Sequence, residues 1–155
     1  MSDYTICCLS KKFYEEHPIC DFPQILDKKD RPYLVLLIVI DKVSYAIPFR
    51  SHAHVETSYI FKDYIRDFDE QAGLDYSKAV VIVDYTYKGN PAQIDPREKK
   101  EIDSHRNEII EGFKKYLDSF KKAMKSANPK IKRRYQCSSL QYFLKEIGIS
   151  EDDKD

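Results

Sequence analysis

Hydrophobic positions fall in distinct rhythms along this chain. Tyr33 to Ile40 is apolar at every position, as in a central strand covered on both faces, and its branched residues and short length favour a strand over a buried helix. Asp41 and Lys42 suit a tight turn into a second strand, Val43 to Ile47. Pro48, which has no amide hydrogen to donate, should end the pairing. The expected product is a hairpin that delivers Arg50 to His54 onto a loop. Tyr4 to Leu9, short and rich in β-formers, predicts another strand. Lys78 to Tyr87 predicts one more, followed by a turn at Lys88 to Pro91.

From Thr57 the period becomes helical. Ile60, Phe61, Tyr64, Ile65 and Phe68 recur on one face, and Gly73 suits a left-handed stop. Asp95 is placed to cap a second helix, with Pro96 in its first position and Glu98 at the capping-box position. This long helix should run to about Ser126 and bury Ile102, Ile109, Phe113, Leu117, Phe120 and Met124. Asn128 and Pro129 break it. A last helix is expected from about Ser138, turning Leu140, Phe143, Leu144 and Ile147 inward before Gly148, and the acidic residues 151–155 should fray. The order of elements predicts one α+β domain over residues 1–150, with an antiparallel sheet.

Composition narrows the function classes. A chain of 155 residues that is 42% hydrophobic can bury one core but hardly two. Lys plus Arg equals Asp plus Glu at 26 each, so no net field draws the molecule onto a polyanion, and nucleic-acid binding would need a local patch. Such a patch exists in the sequence: Arg97 to Arg134 holds 13 lysines and arginines against six acidic residues. Within it Lys130, Lys132, Arg133 and Arg134 stand next to Tyr135, a combination suited to phosphate contact with a base stacked on the ring. Lys114, Lys115, Lys121 and Lys122 extend that surface if the helix presents them together, although charge runs on helices are commonly solvated faces. Cys7, Cys8, Cys20 and Cys137 form no Cys-x-x-Cys pair and have no histidine at zinc-finger spacing, which argues for reduced thiols and against a metal site. The longest apolar run is too short to span a bilayer and nothing resembles a secretory signal, so a cytoplasmic protein is expected.

The candidate chemistry sits where the hairpin ends. Arg50, Ser51, His52 and His54 crowd into five positions. Together they suit cleavage of RNA by its own 2′-hydroxyl, which needs a base, an acid and donors for a crowded phosphorane, and no cofactor. Imidazole fills either proton-transfer role, and a guanidinium matches phosphate oxygens. Ser51 either binds the phosphate or acts as nucleophile. The bland alternative makes Ser51 a helix cap and the histidines surface residues. His105 is expected to be structural, and His17, beside Pro18, to lie in a loop.

These residues resemble a known family, the ToxN and AbiQ endoribonuclease toxins of type III toxin–antitoxin systems, in its TenpN-like branch. The resemblance is carried by "FYEEH" at Phe13 to His17, "RPYLVLLIVI" at Arg31 to Ile40, "YAIPFRSH" at Tyr45 to His52, and the helix "REKKEIDSHRNEIIEGFKKYLDSF". It implies a strongly curved antiparallel sheet, a partly open barrel similar to MazF and Kid, surrounded by helices. It also implies metal-independent cleavage of single-stranded RNA to cyclic-phosphate and 5′-hydroxyl ends. Such toxins are inhibited by a small RNA pseudoknot that they process from a repetitive precursor, typically in a closed ring of alternating toxin and RNA, and they act in phage defence by abortive infection. The family's Pro-x-x-Ser falls on Pro48 and Ser51, its basic residue opening the central strand on Arg31, and its N-terminal aromatic hydroxyl on Tyr14. Tyr33, at the head of the same strand, joins Arg31 and Tyr14 as a candidate RNA contact. The departure is that the lysine expected two positions after the serine is Ala53 here, between His52 and His54, which suggests a histidine in its place. A non-catalytic RNA-binding adaptor is the competing expectation, and a protein-interaction domain a third.

Overall fold

In a computed structural model, which describes residues 4–27, 33–63, 65 and 71–149, the chain forms an α+β fold on an antiparallel sheet. Its elements begin with β1 (Thr5–Leu9) and a short helix α1 (Lys11–Glu16). The hairpin follows as β2 (Leu34–Ile40) and β3 (Val43–Arg50). Short strands β4 (Ser58–Ile60), β5 (Gly73–Asp75), β6 (Val80–Val81) and β7 (Lys88–Pro91) complete the sheet among the described residues. The helices α2 (Pro96–Ser104), α3 (Arg106–Lys125) and α4 (Pro129–Arg133) come after it. The strand order is β4-β5-β3-β2-β1-β7, with β6 also on β3, and the sheet is not closed.

The hairpin forms as its pattern predicts. β2 and β3 pair from Val35↔Pro48 to Ile40↔Val43, and Asp41 and Lys42 both take positive φ, 51° and 69°, the geometry whose twist matches a two-residue hairpin. Pro48 does not end the pairing. β3 continues through Phe49 and Arg50 and changes partner around the proline: Tyr45 and Ala46 pair with β6, Phe49 and Arg50 with β5. A residue without an amide donor is tolerated where one neighbour stops and the next begins.

Alternation along β3 sets up the two sides of the sheet. Tyr45, Ile47 and Phe49 share one face, on which Tyr45 meets Phe113 of α3 ring to ring at 5.0 Å. Ala46, Pro48 and Arg50 share the other, where Ala46 and Pro48 lie under Tyr14 of α1 and Ile25. Ser10 caps α1, its Oγ accepting from the Phe13 amide, and Phe13 is fully buried.

The helical expectation at Thr57 is overturned at its start. Ser58–Ile60 is a strand paired with β5, and Gly73 lies inside β5 opposite both Ile60 and Arg50; Tyr64 and Phe68 fall outside the described residues. A Cβ on Gly73 would sit 2.2 Å from the Tyr59 carbonyl oxygen, so close backbone approach, not a left-handed turn, requires glycine here. The strand expected over Lys78 to Tyr87 shrinks to β6, because Asp84 accepts from the Thr86 amide and hydroxyl and bends the chain into a 3₁₀ turn. Lys88 to Pro91 is not a turn but the sheet's edge strand, against β1.

The long helix is two. Asp95 caps α2, accepting from the Arg97 amide at 2.8 Å with Pro96 in the first turn, as predicted. At His105 (φ −113°, ψ 23°) the axis is interrupted before α3 begins. The ring of His105 is held by Asp63 at 2.8 Å and faces Glu108 at 3.4 Å, so a tertiary hydrogen bond fixes the break. Ile102, Ile109, Phe113, Leu117 and Phe120 are buried as expected, and Met124 partly so. Asn128 does more than stop α3: its side chain caps α4. The last helix is a 3₁₀ segment, Ser139–Phe143, capped by Ser138, and Gly148 follows at φ 87°. The acidic residues 151–155 lie outside the described residues. No helix among the described residues is long and apolar enough to cross a membrane.

Candidate active site

Arg50 is the last residue of β3, on the face that carries Ala46 and Pro48. Its guanidinium donates to Oδ2 of Asp75 at 2.9 Å, and Asp75 is fully buried while the Arg50 side chain keeps 28% exposure. The other oxygen of Asp75 accepts from the amide of Ser77 at 2.9 Å and from its hydroxyl at 2.6 Å. The carboxylate thus joins the ends of β3 and β5 and caps the 3₁₀ turn Tyr76–Lys78. Removing either partner of such a pair strands a charge in low dielectric, so the guanidinium is held in place and keeps one edge toward solvent.

Beyond Arg50 the chain leaves the sheet in a turn. Ser51, His52 and His54 are all exposed, and their side chains make no hydrogen bond or ion pair with the described residues. Ala53 between them is buried, and its amide donates to the Gln71 carbonyl at 2.9 Å. The turn is therefore fixed at both ends, by Arg50 and by Ala53, with the intervening polar groups outward. Ser51 does not cap the following 3₁₀ segment, whose N-cap residue is His54 with no side-chain cap bond.

At Pro48, two residues before the end of β3, is a narrow and mostly apolar cleft to which Tyr14, Tyr33 and Lys78 contribute beside side chains such as Leu9, Val35 and Val80. The structure thus brings together Tyr14 and Tyr33, from distant parts of the chain, with the proline of the Pro-x-x-Ser pattern. Burial pushes the Tyr14 hydroxyl up to about 12, an effect the Tyr33 amide partly offsets. Lys78 donates to the Gln24 carbonyl at 3.1 Å, to Oε1 of Gln24 at 3.0 Å and to the Cys137 carbonyl at 2.8 Å. Desolvation lowers its pKa from the ordinary lysine value, with Asp75 acting to raise it and Arg50 to lower it. Reading the sequence missed Lys78; the available signal was a lysine opening an otherwise apolar run, Ala79 to Val83.

The basic segment packs against α3. Lys130, Arg133 and Arg134 are exposed and Lys132 is half-buried. Tyr135 is half-buried, its ring against Tyr116 at 5.8 Å and Phe120 at 5.6 Å, so it anchors α4 to α3. The Tyr116 hydroxyl is pushed up to about 12, chiefly by burial. Arg31 lies outside the described residues.

The remaining histidines are structural. His17 is not in an open loop: it is buried, stacked on Phe13 at 4.3 Å, with Nδ1 2.8 Å from the Phe13 carbonyl oxygen. His105 is held between Asp63 and Glu108, as expected of a structural residue. Among the described residues no group of three or more His, Cys, Asp or Glu is placed to hold a metal ion, and the cysteines are free. No protein-family model matches the chain, and no curated protein or solved structure matches it either.

Proposed function

We propose that this protein is an endoribonuclease toxin of the ToxN and AbiQ kind, cutting single-stranded RNA in the cytoplasm at the turn that follows β3. The observation that carries the proposal is the arrangement of that turn. A guanidinium locked by the buried Asp75 stands at its base, and a hydroxyl and two imidazoles without side-chain partners among the described residues stand on its rim. Loops held by rigid strands keep reactive side chains both accessible and positioned.

In this reading a histidine of the turn takes the 2′-hydroxyl proton as the 2′-oxygen attacks phosphorus. The bond from phosphorus to the 5′-oxygen breaks, and that oxygen takes a proton from a second group. The products are a 2′,3′-cyclic phosphate and a 5′-hydroxyl, with no metal or cofactor needed. Arg50 donates to the non-bridging oxygens as charge accumulates there, and Ser51 adds a neutral donor. His52 is the first candidate for proton transfer because it adjoins Ser51, and His54 the second. Lys130, Lys132, Arg133 and Arg134 receive the backbone of a longer RNA. The strong curvature of a MazF-like barrel, inhibition by a pseudoknot RNA in a closed ring, processing of a repetitive precursor and service in phage defence belong to the same proposal.

The test is incubation of the purified protein with total RNA in excess chelator, followed by chemical analysis of the new ends. Cyclic phosphates paired with 5′-hydroxyls support the enzyme. Intact RNA that remains bound supports the adaptor instead.

A further inference from the structure

Oδ2 of Asp75 is bonded to Arg50 and its Oδ1 to Ser77 twice, and none of these bonds reaches Lys78. Lys78, nearby and half-buried, is left with neutral acceptors alone: two oxygens of Gln24 and the Cys137 carbonyl. No carboxylate among the described residues forms an ion pair with it, and Arg50 opposes its charge. Asp75 and Arg50 act on Lys78 in opposite senses, and the Asp27 carboxylate acts on Tyr14. A partly desolvated ammonium whose direct partners are all neutral costs free energy that an incoming anion would recover.

A second, independent group lines the same cleft as Lys78. The Tyr14 hydroxyl is buried and finds no hydrogen-bond partner of good geometry among the described residues. The Tyr33 amide acts on its oxygen as a donor, which leaves the hydroxyl proton without an acceptor. The ligand that accepts from a lone O–H and from an ammonium whose direct partners are all neutral is an oxyanion. The cleft holds about 10 Å³, room for a single oxygen-sized atom and not for a whole phosphate group.

We infer that Lys78 and Tyr14 form a subsite for one non-bridging phosphoryl oxygen, its phosphorus standing at the mouth of the cleft on the side of Arg50. Lys78 is then a binding residue that exchanges the outer of its carbonyl contacts, to Cys137, for the phosphate. The identity of the phosphate as RNA backbone rests on the function proposed above; the demand for an oxyanion does not.

The experiment uses the full chain and two probes that cannot be cut: inorganic phosphate, and a short oligoribonucleotide with every 2′-hydroxyl methylated. The wild-type protein should bind the oligonucleotide. Lys78→Met should weaken binding about tenfold and reduce the slope of log affinity against log salt by about one, the signature of a lost phosphate contact. Lys78→Arg should keep the slope, and Tyr14→Phe, which removes the hydroxyl alone, should weaken binding several-fold. Displacement of the oligonucleotide by inorganic phosphate from wild type, and not from Lys78→Met, would assign a free-phosphate subsite; no displacement would assign the backbone diester. An unchanged affinity and slope in Lys78→Met would overturn the inference. If that variant does not fold, an unchanged affinity in Tyr14→Phe overturns it. Because neither probe is cleaved, the result stands or falls apart from the proposed activity.

Discussion

Two buried carboxylates, Asp75 and Glu101, each fix a turn at the edge of this fold, and they leave opposite things behind. Glu101 accepts from the Tyr59 hydroxyl at 2.6 Å and from the amides of Lys62 and Asp63 at 2.9 Å each. Every charged side chain on that turn is then consumed: Lys62 by Glu108, and Asp63 by His105, which also meets Glu108. Asp75 holds Arg50 instead, and the polar side chains that follow, Ser51, His52 and His54, meet no partner among the described residues. The same device closes one surface on itself and presents the other. A histidine bound between two carboxylates serves the fold, whereas one held exposed on a fixed backbone is free to serve a substrate.

The comparison can be broken from its hinge. Gly73 belongs to β5, which pairs with β4 on the Glu101 side and with β3 on the Asp75 side. Gly73→Ala would force a Cβ against the Tyr59 carbonyl oxygen and should cost about 4 kcal/mol, collapsing both turns. Denaturant melts of that variant should show the folded state lost or barely populated.

Asp75→Ala should cost about 3 kcal/mol, since it strands a guanidinium that keeps 28% exposure. RNA cleavage should vanish with it even at temperatures where the variant is folded, as judged by circular dichroism. Glu101→Gln should cost about 2 kcal/mol by setting an amide group against donors that met a carboxylate. Cleavage by the folded fraction should stay near wild type. The pair of results separates a carboxylate that supports the fold from one that also aims the site.

Alkali should reach both regions. Tyr14 and Tyr116 are pushed up to about 12, mainly by burial. Tyr59 is raised as well, by burial and by its bond to Glu101. A raised tyrosine favours the neutral form in the folded state, so this stability is fully present below the ordinary value of 10.0 and is lost as pH rises toward 12. Tyrosinate absorbance and loss of structure should therefore appear together in that window, instead of a smooth titration near 10.

The smallest effect is expected at α4. Changing Lys132, Arg133 and Arg134 to Gln should leave stability within about 0.5 kcal/mol and weaken binding of a long RNA more than cleavage of a short one. Filter binding at several salt concentrations checks this, with a shallower slope for the variant.

What the sequence made legible was local. The hairpin of β2 and β3 follows from an unbroken apolar run and two turn residues, and α2 from Asp95 and Pro96. The exposure of His52 and His54 was readable because they follow a strand in a polar stretch. Illegible features were those that need a distant partner. β4, β5 and β7 are three or four residues long, too short to carry a period, and exist because neighbouring strands complete their hydrogen bonds. His17 and Tyr135 looked available in sequence and are occupied by aromatic neighbours. Lys78 acquired its place only when Gln24 and Cys137 folded around it.

The central claim is that the turn after β3 performs the cut. Its most direct test is single-turnover cleavage of a defined RNA by wild type and by the Ser51→Ala/His52→Ala double variant, with folding verified for both. The account predicts a rate about 10²- to 10⁴-fold lower in the variant with its melting curve unchanged. Cleavage at the wild-type rate by the folded double variant would contradict it.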